Sequence, residues 1–243
     1  MLNICDLQAT AGDFVLGPVT HDFRRGITSI IGPNGSGKTT LFTSLVGDGR
    51  VDSGTVMWNG SALGHRDFGA WHGVSYIPDS SHTLFDEMTS EETWAMAARV
   101  QELHRATDTI ILLEEAFSLA EKLGFSEFDK RTKNLSLGNR KKSRLICGLM
   151  NRPSLLLVDE QQNGLDFLTS IALRAQLQEL VRDEGSTVVM SNHDLDSVAR
   201  SSDEILALRG GRLVEAIRPA ESGLESAATR MVQIFTEFTD EAG

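Results

Sequence analysis

Apolar and polar positions change rhythm several times along the chain, and each change predicts a different element. Before residue 26, short β-like runs at Leu2 to Leu7 and Phe14 to Val19 are separated by Ala-Gly-Asp and Gly-Pro turn signals, the pattern of a hairpin or small β-subdomain. Ile27-Thr28-Ser29-Ile30-Ile31 then runs into a glycine-rich loop, and Lys38 to Val46 carries apolar residues at helical spacing, giving strand, loop and helix in order. Residues 51–79 return to β character, punctuated by Gly54, Gly60, Gly64 and Gly73, with a last short strand at Val74 to Ile77. Residues 84–133 are rich in Glu, Ala and Leu at helical spacing without a convincing strand, which predicts a helical insertion. Beyond it come the continuous apolar strand Leu155 to Val158, a helix over Leu168 to Glu184 and a strand over Thr187 to Met190. Strands alternating with helices imply a parallel sheet, so the fold class is α/β. A final strand pair is expected around Arg209-Gly210-Gly211-Arg212, followed after Pro219 by an amphipathic helix with Leu224, Ala228, Met231, Phe235 and Phe238 on one face.

Composition narrows the function classes. With 243 residues, 40% of them hydrophobic, the chain can bury a sizeable core in one or two domains, which argues against disorder. Its 34 acidic residues outnumber 23 basic ones, and the formal net charge of -11 repels a phosphate polymer, so no nucleic-acid partner is expected. Cys5 and Cys147 stand far apart and outside any C-x-x-C spacing, which leaves neither a disulfide framework nor a zinc ribbon and fits a reducing, cytoplasmic setting. The start of the chain lacks a basic region followed by an apolar one, and no segment approaches the roughly 20 apolar residues that span a bilayer, so no transmembrane segment is expected.

Three segments carry chemistry. Gly32-Pro33-Asn34-Gly35-Ser36-Gly37-Lys38-Thr39 fits the phosphate-loop pattern between a strand and a helix. Its glycines let backbone N–H groups converge on phosphate oxygens, the helix N-terminus adds a positive dipole, Lys38 can neutralise the β and γ phosphates, and Thr39 can ligate magnesium. Asp159-Glu160 follow the apolar strand at its C-terminal end, where ligands bind in open α/β sheets. Asp159 is the expected magnesium ligand, and Glu160 the expected general base that polarises the attacking water. His193, after the strand Thr187 to Met190, can reach the same ligand, whereas His21, His65, His72, His82 and His104 show no metal-ligand spacing.

With these elements in order, residues 1 to about 218 resemble the nucleotide-binding subunit of ATP-binding cassette (ABC) transporters. Leu135-Ser136-Leu137-Gly138-Asn139 is similar to the family signature Leu-Ser-Gly-Gly-Gln and leads into the basic helix start Arg140-Lys141-Lys142. Asn163-Gly164-Leu165-Asp166 is similar to the D-loop, Tyr76-Ile77-Pro78-Asp79 stands where the Q-loop belongs, and Ser191-Asn192-His193-Asp194 resembles the switch-histidine segment. The resemblance implies a phosphate-loop NTPase core with a mainly parallel sheet, an N-terminal antiparallel β-subdomain and a helical insertion. Core segments 1–83 and 134–218 would flank a helical subdomain at 84–133, with a C-terminal helix at 219–243. It further implies two cassettes, alike or different, joined head to tail around ATP and Mg2+. Ser136 and Gly138 of one would complete the γ-phosphate site formed by Gly32 to Thr40 of the other, with Asp166 nearby. A separate transmembrane permease, engaged by the helical subdomain, would hold the chain at the cytoplasmic face of the membrane.

Departures from the family pattern refine these expectations. Asp79 replaces the usual glutamine, adding a third carboxylate that could serve as a third magnesium contact or raise a neighbouring carboxyl's pKa; with Leu84-Phe85 and Met88-Thr89 following, it resembles a variant of exporter-type cassettes. Gln161-Gln162 replace a usual Pro-Thr or Pro-Ser, and Thr10-Ala11-Gly12-Asp13 lacks the aromatic that normally stacks on adenine, leaving only Phe14 close and GTP acceptance open to test. The leading expectation is a Mg-dependent ATPase energising export of a drug, lipid, antibiotic or peptide. The alternatives are a catalytically weak regulatory cassette and a soluble assembly-type ATPase, and Glu160→Gln discriminates the motor from the regulator.

Overall fold

A computed structural model describes residues 1–63, 73–79, 85–105, 108–161, 164–192 and 195–240. The first strands, β1 (Leu2–Ala11) and β2 (Phe14–Phe23), form the expected hairpin, each longer than its apolar run. Leu2 and Ile4 are buried, and so are Leu7 and Ala9; the change from even to odd positions coincides with a register shift between Ile4 and Leu7. An irregularity of this kind inserts a residue and turns the following side chains to the opposite face, which keeps the apolar set inward. With β4 (Arg50–Trp58) and β5 (Ser61–Ala62), these strands make an antiparallel sheet of order β2-β1-β4-β5.

The second sheet contains β3 (Gly26–Ile31), β6 (Val74–Ile77), β7 (Leu155–Val158), β8 (Thr187–Ser191), β9 (Glu204–Arg209) and β10 (Arg212–Ile217), in the order β10-β9-β3-β8-β7-β6. All neighbours are parallel except β9 and β10, which close one edge as an antiparallel hairpin. Every residue of β3, β7 and β8 is buried, the mark of strands covered on both faces. The carboxyl ends of these three neighbours therefore open side by side, and α1 (Lys38–Leu45) begins seven residues after β3.

Between β6 and β7 the chain forms α2 (Ser90–Arg105), α3 (Thr109–Lys122) and α4 (Leu137–Leu149). Thr89 and Glu92 form a reciprocal capping box at the start of α2: the Thr89 N–H donates to Glu92 Oε2 (2.8 Å), and the Glu92 N–H donates to Thr89 Oγ1 (3.1 Å). Trp94 is buried among these helices, its ring edge-on to Phe117 and Phe125, each 5.8 Å away, and its indole N–H donates to the Ser143 carbonyl (3.0 Å). That bond joins α2 to α4 and satisfies the one polar atom of the largest side chain there.

After β7 come α5 (Phe167–Glu184) and α6 (Leu195–Ser201), the latter not anticipated from the pattern. The tail divides at Gly223 into α7 (Pro219–Ser222) and α8 (Leu224–Asp240). Of the expected face, Met231 is buried and Ala228 packs beside it, whereas Leu224 is exposed and Ala227 and Ile234 complete the buried set. This i, i+4, i+7 set tracks one side of the helix and packs with Val198 and Ala199 of α6 and with Ile205, Ala207 and Ile217 of β9 and β10. Phe235 and Phe238 belong to α8, but their side chains lie outside the described residues. Among the described residues, no helix is long and apolar enough to cross a membrane.

Candidate functional site

The loop from Gly32 to Gly37 leaves the end of β3 and hands over directly to α1. Lys38, almost wholly buried, curls back over it, donating to the Gly32 carbonyl (3.0 Å) and the Pro33 carbonyl (3.2 Å), with its ammonium 3.4 Å from Glu160 Oε1. The loop is braced from outside by the β9–β10 turn: the Gly211 N–H donates to the Ser36 carbonyl (3.0 Å), and the Gly211 carbonyl accepts from the Gly17 N–H (2.7 Å). A side chain at Gly211 would bring its Cβ within 2.2 Å of the Val15 carbonyl. Asn34 and Gly35 are exposed at the loop's tip and Thr39 at the first turn of α1, whereas Ser36 Oγ is buried without a partner among the described residues. Gly37 has φ +102°, and the ring of Phe14 lies against it so closely that a Cβ there would meet Phe14 Cζ at 2.7 Å. An aromatic side chain thus stands beside the start of α1, although it comes from β2 and not from the turn before it.

Asp159 is inaccessible to solvent at the end of β7. Ser191, at the end of neighbouring β8, donates its hydroxyl to Asp159 Oδ1 (2.7 Å) and accepts the Glu160 N–H (2.9 Å). The other oxygen, Oδ2, is buried with no well-formed hydrogen bond among the described residues, though the Thr39 hydroxyl is near enough to favour the ionised carboxylate. Burial nevertheless dominates and pushes the Asp159 carboxyl above the usual range, with Glu160 and Asp79 adding like-charge repulsion. A desolvated carboxylate beside a threonine hydroxyl fits a hard divalent cation, because such an ion removes the charge penalty and coordinates both oxygen types.

Glu160 occupies the left-handed region at φ +48°, a conformation that costs a non-glycine residue energy and persists only where its surroundings fix it. Here its N–H is held by Ser191 and its carbonyl by Lys141, whose ammonium donates to it over 3.0 Å. Lys141 also lies 3.8 Å from Asp79 Oδ1, so the Asp79 carboxylate faces an ammonium. Among the described residues, no three acidic, histidine or cysteine side chains converge as a metal-binding group. Gln161 is buried and donates from Nε2 to the Pro78 carbonyl (2.6 Å) and the Asp159 carbonyl (3.3 Å), tying the end of β7 to the segment carrying Asp79.

Ser136 caps α4 by accepting the Asn139 N–H (3.2 Å), and Gly138 approaches the Gly164 carbonyl. Asp166 caps α5, accepting from the Thr169 N–H (2.8 Å) and hydroxyl (2.7 Å), and pairs with Lys142 at 3.0 Å. The Thr169 bonds first, then Lys142, hold its carboxyl well below the usual carboxylate range. Ser136, Gly138 and Asp166 therefore cluster beside one another, and no described hydrogen bond or ion pair joins them to Gly32–Thr40 of the same chain. Leu137, Phe167, Leu168 and Ile171 are exposed on the neighbouring helix starts. His193, Gln162 and Asn163 lie outside the described residues.

Ser191, Gln161, Lys141 and Lys142 all stood inside or beside the recognised segments without an assigned role. For Ser191, a polar residue closing an otherwise apolar buried strand was the available signal. A lysine inside a run of basic residues reads as a solvated helix face, so nothing marked Lys141 as buried.

Comparison with known proteins gives the family and the fold. Residues 16–163 match the ABC transporter family model. The spermidine/putrescine import ATP-binding protein PotA of Escherichia coli K12 is 30% identical over 193 residues, 79% of this chain and 50% of that protein. An uncharacterized ABC transporter ATP-binding protein of Alkalihalophilus pseudofirmus is 27% identical over 183 residues, 75% of this chain and 65% of the relative. The chain thus spans one half to two thirds of the length of these curated relatives. A solved structure of an ATP-binding subunit of an ABC transporter superimposes with a TM-score of 0.84 at 25% identity, covering 98% of this chain and 99% of the other. A bacterial ABC transporter cassette solved as a dimer gives a TM-score of 0.79 at 20% identity, over 90% and 98% of the two chains. The chain belongs to the ABC transporter family and has the fold of its ATP-binding subunits.

Proposed function

We propose that this chain is a Mg-dependent ATPase that energises a membrane transporter. The observation that carries the reading is the convergence of Lys38 on Glu160 at 3.4 Å, beside an Asp159 oxygen left without a well-formed bond. Phosphate oxygens bound by the backbone N–H groups of Gly35 to Thr39 draw the Lys38 ammonium away from the Gly32 and Pro33 carbonyls, since a phosphate is the stronger acceptor. Its departure from Glu160 leaves that carboxylate able to accept a proton from water. Thr39 and Asp159 would hold magnesium, which supplies charge neutralisation at the phosphates. Phe14 supplies an aromatic surface beside the start of α1 for a base. His193 is assigned to the same site from its place after β8.

In this proposal two such cassettes pair so that Ser136, Gly138 and Asp166 of one face Gly32–Thr40 of the other, a reading supported by the separation of the two clusters within one chain. The exposed apolar side chains Leu137, Phe167 and Leu168 surround the signature cluster, as a surface covered by a second chain would. Segments 1–83 and 134–218 act as the nucleotide-binding core, 84–133 as the helical part that engages a transmembrane permease, and 219–243 as a tail packed on the core. The permease would hold the complex at the cytoplasmic membrane face. The export direction drawn from Asp79 gains no support from the named relative, an import ATP-binding protein, and Asp79 is accounted for by Lys141 without reference to direction.

The test is ATP hydrolysis by the purified chain with and without magnesium, alongside Glu160→Gln and Lys38→Ala. Turnover abolished by both changes, with a dimer stabilised by ATP in Glu160→Gln, is the expected result. Hydrolysis that survives Glu160→Gln removes the assigned base, and tight nucleotide binding without wild-type turnover replaces the motor with a regulatory cassette.

A further inference from the structure

Resting on the ATPase reading above, we infer that Lys141 is a positioning residue for the general base: its buried ammonium holds the Glu160 carbonyl, and Asp79 holds the ammonium. Three contacts help to hold Glu160. Its N–H donates to Ser191 Oγ at 2.9 Å, its carbonyl accepts from Lys141 at 3.0 Å, and its carboxylate stands 3.4 Å from Lys38. A residue at φ +48° relaxes toward ordinary backbone angles when such ties are cut, and that rotation re-aims its side chain. The Lys38 tie to the carboxylate is lost when nucleotide arrives, whereas the Ser191 and Lys141 ties to the backbone of Glu160 remain.

The two remaining ties come from different parts of the molecule. Ser191 ends a central strand, whereas Lys141 sits on α4, in the first turns after the Ser136 cap. Its side chain is only 6% exposed, and a lysine is not buried to that degree without partners for its charge. Asp79, with a side chain 48% exposed at 3.8 Å, supplies the opposite charge. The Asp79 segment is itself pinned to β7 by Gln161, whose amide donates to the Pro78 carbonyl. The path Pro78–Asp79–Lys141–Glu160 is therefore a closed loop of contacts joining the segment after β6, the signature helix and the base. Any displacement of α4 relative to the six-stranded sheet is transmitted to the Glu160 carbonyl through one side chain. Asp79 acts in this network as the counter-charge of Lys141.

The experiment compares the intact wild-type chain with Lys141→Met, Lys141→Arg, Asp79→Asn and Asp79→Asn/Lys141→Met, measuring kcat, KM for ATP, the magnesium dependence of kcat, and binding of a fluorescent ATP analogue. Lys141→Met is expected to lower kcat about tenfold while KM and analogue affinity stay within about twofold, the split left by a misaimed base in an intact binding site. Lys141→Arg, which keeps the charge and a donor, is expected to retain most of the turnover. Asp79→Asn lowers kcat about threefold in the wild-type background and has no further effect in Lys141→Met, because its role is exercised through Lys141. Its magnesium dependence stays that of the wild type. Unchanged kcat in Lys141→Met, or multiplicative effects of the two changes, overturns the inference. A raised magnesium requirement in Asp79→Asn also overturns it and makes Asp79 a metal ligand. Should Lys141→Met fail to fold, Asp79→Asn and Lys141→Arg decide by the same kcat and magnesium readouts. A wild type that binds the analogue without turnover overturns both the ATPase reading and this one, whereas a hydrolysing wild type with an unaffected Lys141→Met overturns this one alone.

Discussion

Removing one oxygen atom at Ser191 tests the logic of the site. Ser191→Ala leaves the strand and its neighbours in place, but Asp159 Oδ1 loses its donor and the Glu160 N–H loses its acceptor. Asp159 is wholly shielded from water, and Glu160 is half-buried. A hydrogen bond to a charged group contributes about 1.5–3 kcal/mol, and an orphaned buried N–H costs about 1–3 kcal/mol, so with partial relaxation the combined loss is about 2–4 kcal/mol. For a chain of this size that corresponds to a fall in Tm of about 5–15 °C. The effect also has a signed pH dependence. The Ser191 bond holds the Asp159 carboxyl down against burial, so its removal pushes that carboxyl further up. A folded-state carboxyl raised above its unfolded value destabilises the fold while ionised, and the penalty is relieved as pH falls through the folded value. Urea unfolding of wild type and Ser191→Ala, followed from neutral to mildly acidic pH at constant m-value, is the assay. The stability gap is expected to be widest at neutral pH and to narrow on acidification. A gap below about 1 kcal/mol at neutral pH, or one that widens as pH falls, refutes the assignment of Ser191 as the bridge between the two carboxylate residues.

Two further substitutions probe the same ligand-free state. Asp159→Asn removes a buried charge while keeping an acceptor for the Ser191 hydroxyl, so it is expected to raise Tm at neutral pH and to abolish turnover; the Tm difference closes as pH falls, and a lower Tm in differential scanning fluorimetry contradicts the burial argument. Gly211→Ala places a Cβ within 2.2 Å of the Val15 carbonyl at φ +79°, and is expected to cost about 2–4 kcal/mol and weaken nucleotide binding through the Ser36 bond. Chemical denaturation and fluorescent-nucleotide titration check it, and a change within about 0.5 kcal/mol would mean that the turn does not brace the loop.

What was legible in the sequence follows the range of the forces involved. The strand Leu155 to Val158, the glycine-rich loop and the helix from Lys38 are written in local periodicity and composition, and the structure places them where the pattern does. The doubly covered sheet was legible because its strands are apolar without alternation. The buried face of α8 was legible only in part: Met231 and Ala228 lie on it as expected, but Leu224 and Ala227 are both compatible with an apolar stripe, and packing against α6, β9 and β10 decides between them. At the site, residues with a fixed chemistry beside a strand end could be found, whereas the roles of Lys141 and Gln161 arise from contacts between segments 19 and 83 residues apart. Asp79 illustrates the same limit: its charge was readable, but the ammonium that faces it at 3.8 Å was hidden in a basic run.

The strand order has a consequence for how the protein comes into being. β3, which ends in the phosphate loop, is flanked by β8 and β9, so residues 26–31 acquire their partners only from residues 187–209. At about 5–20 residues per second, a ribosome needs on the order of 10–30 s to make the intervening chain. During that interval the N-terminal hairpin of β1 and β2 can form from neighbouring residues, but the strand that aims the loop has neither neighbour. Nucleotide-binding competence is therefore expected to arise late and abruptly in synthesis, and fragments that stop short of β9 to lack it although they contain the entire phosphate loop.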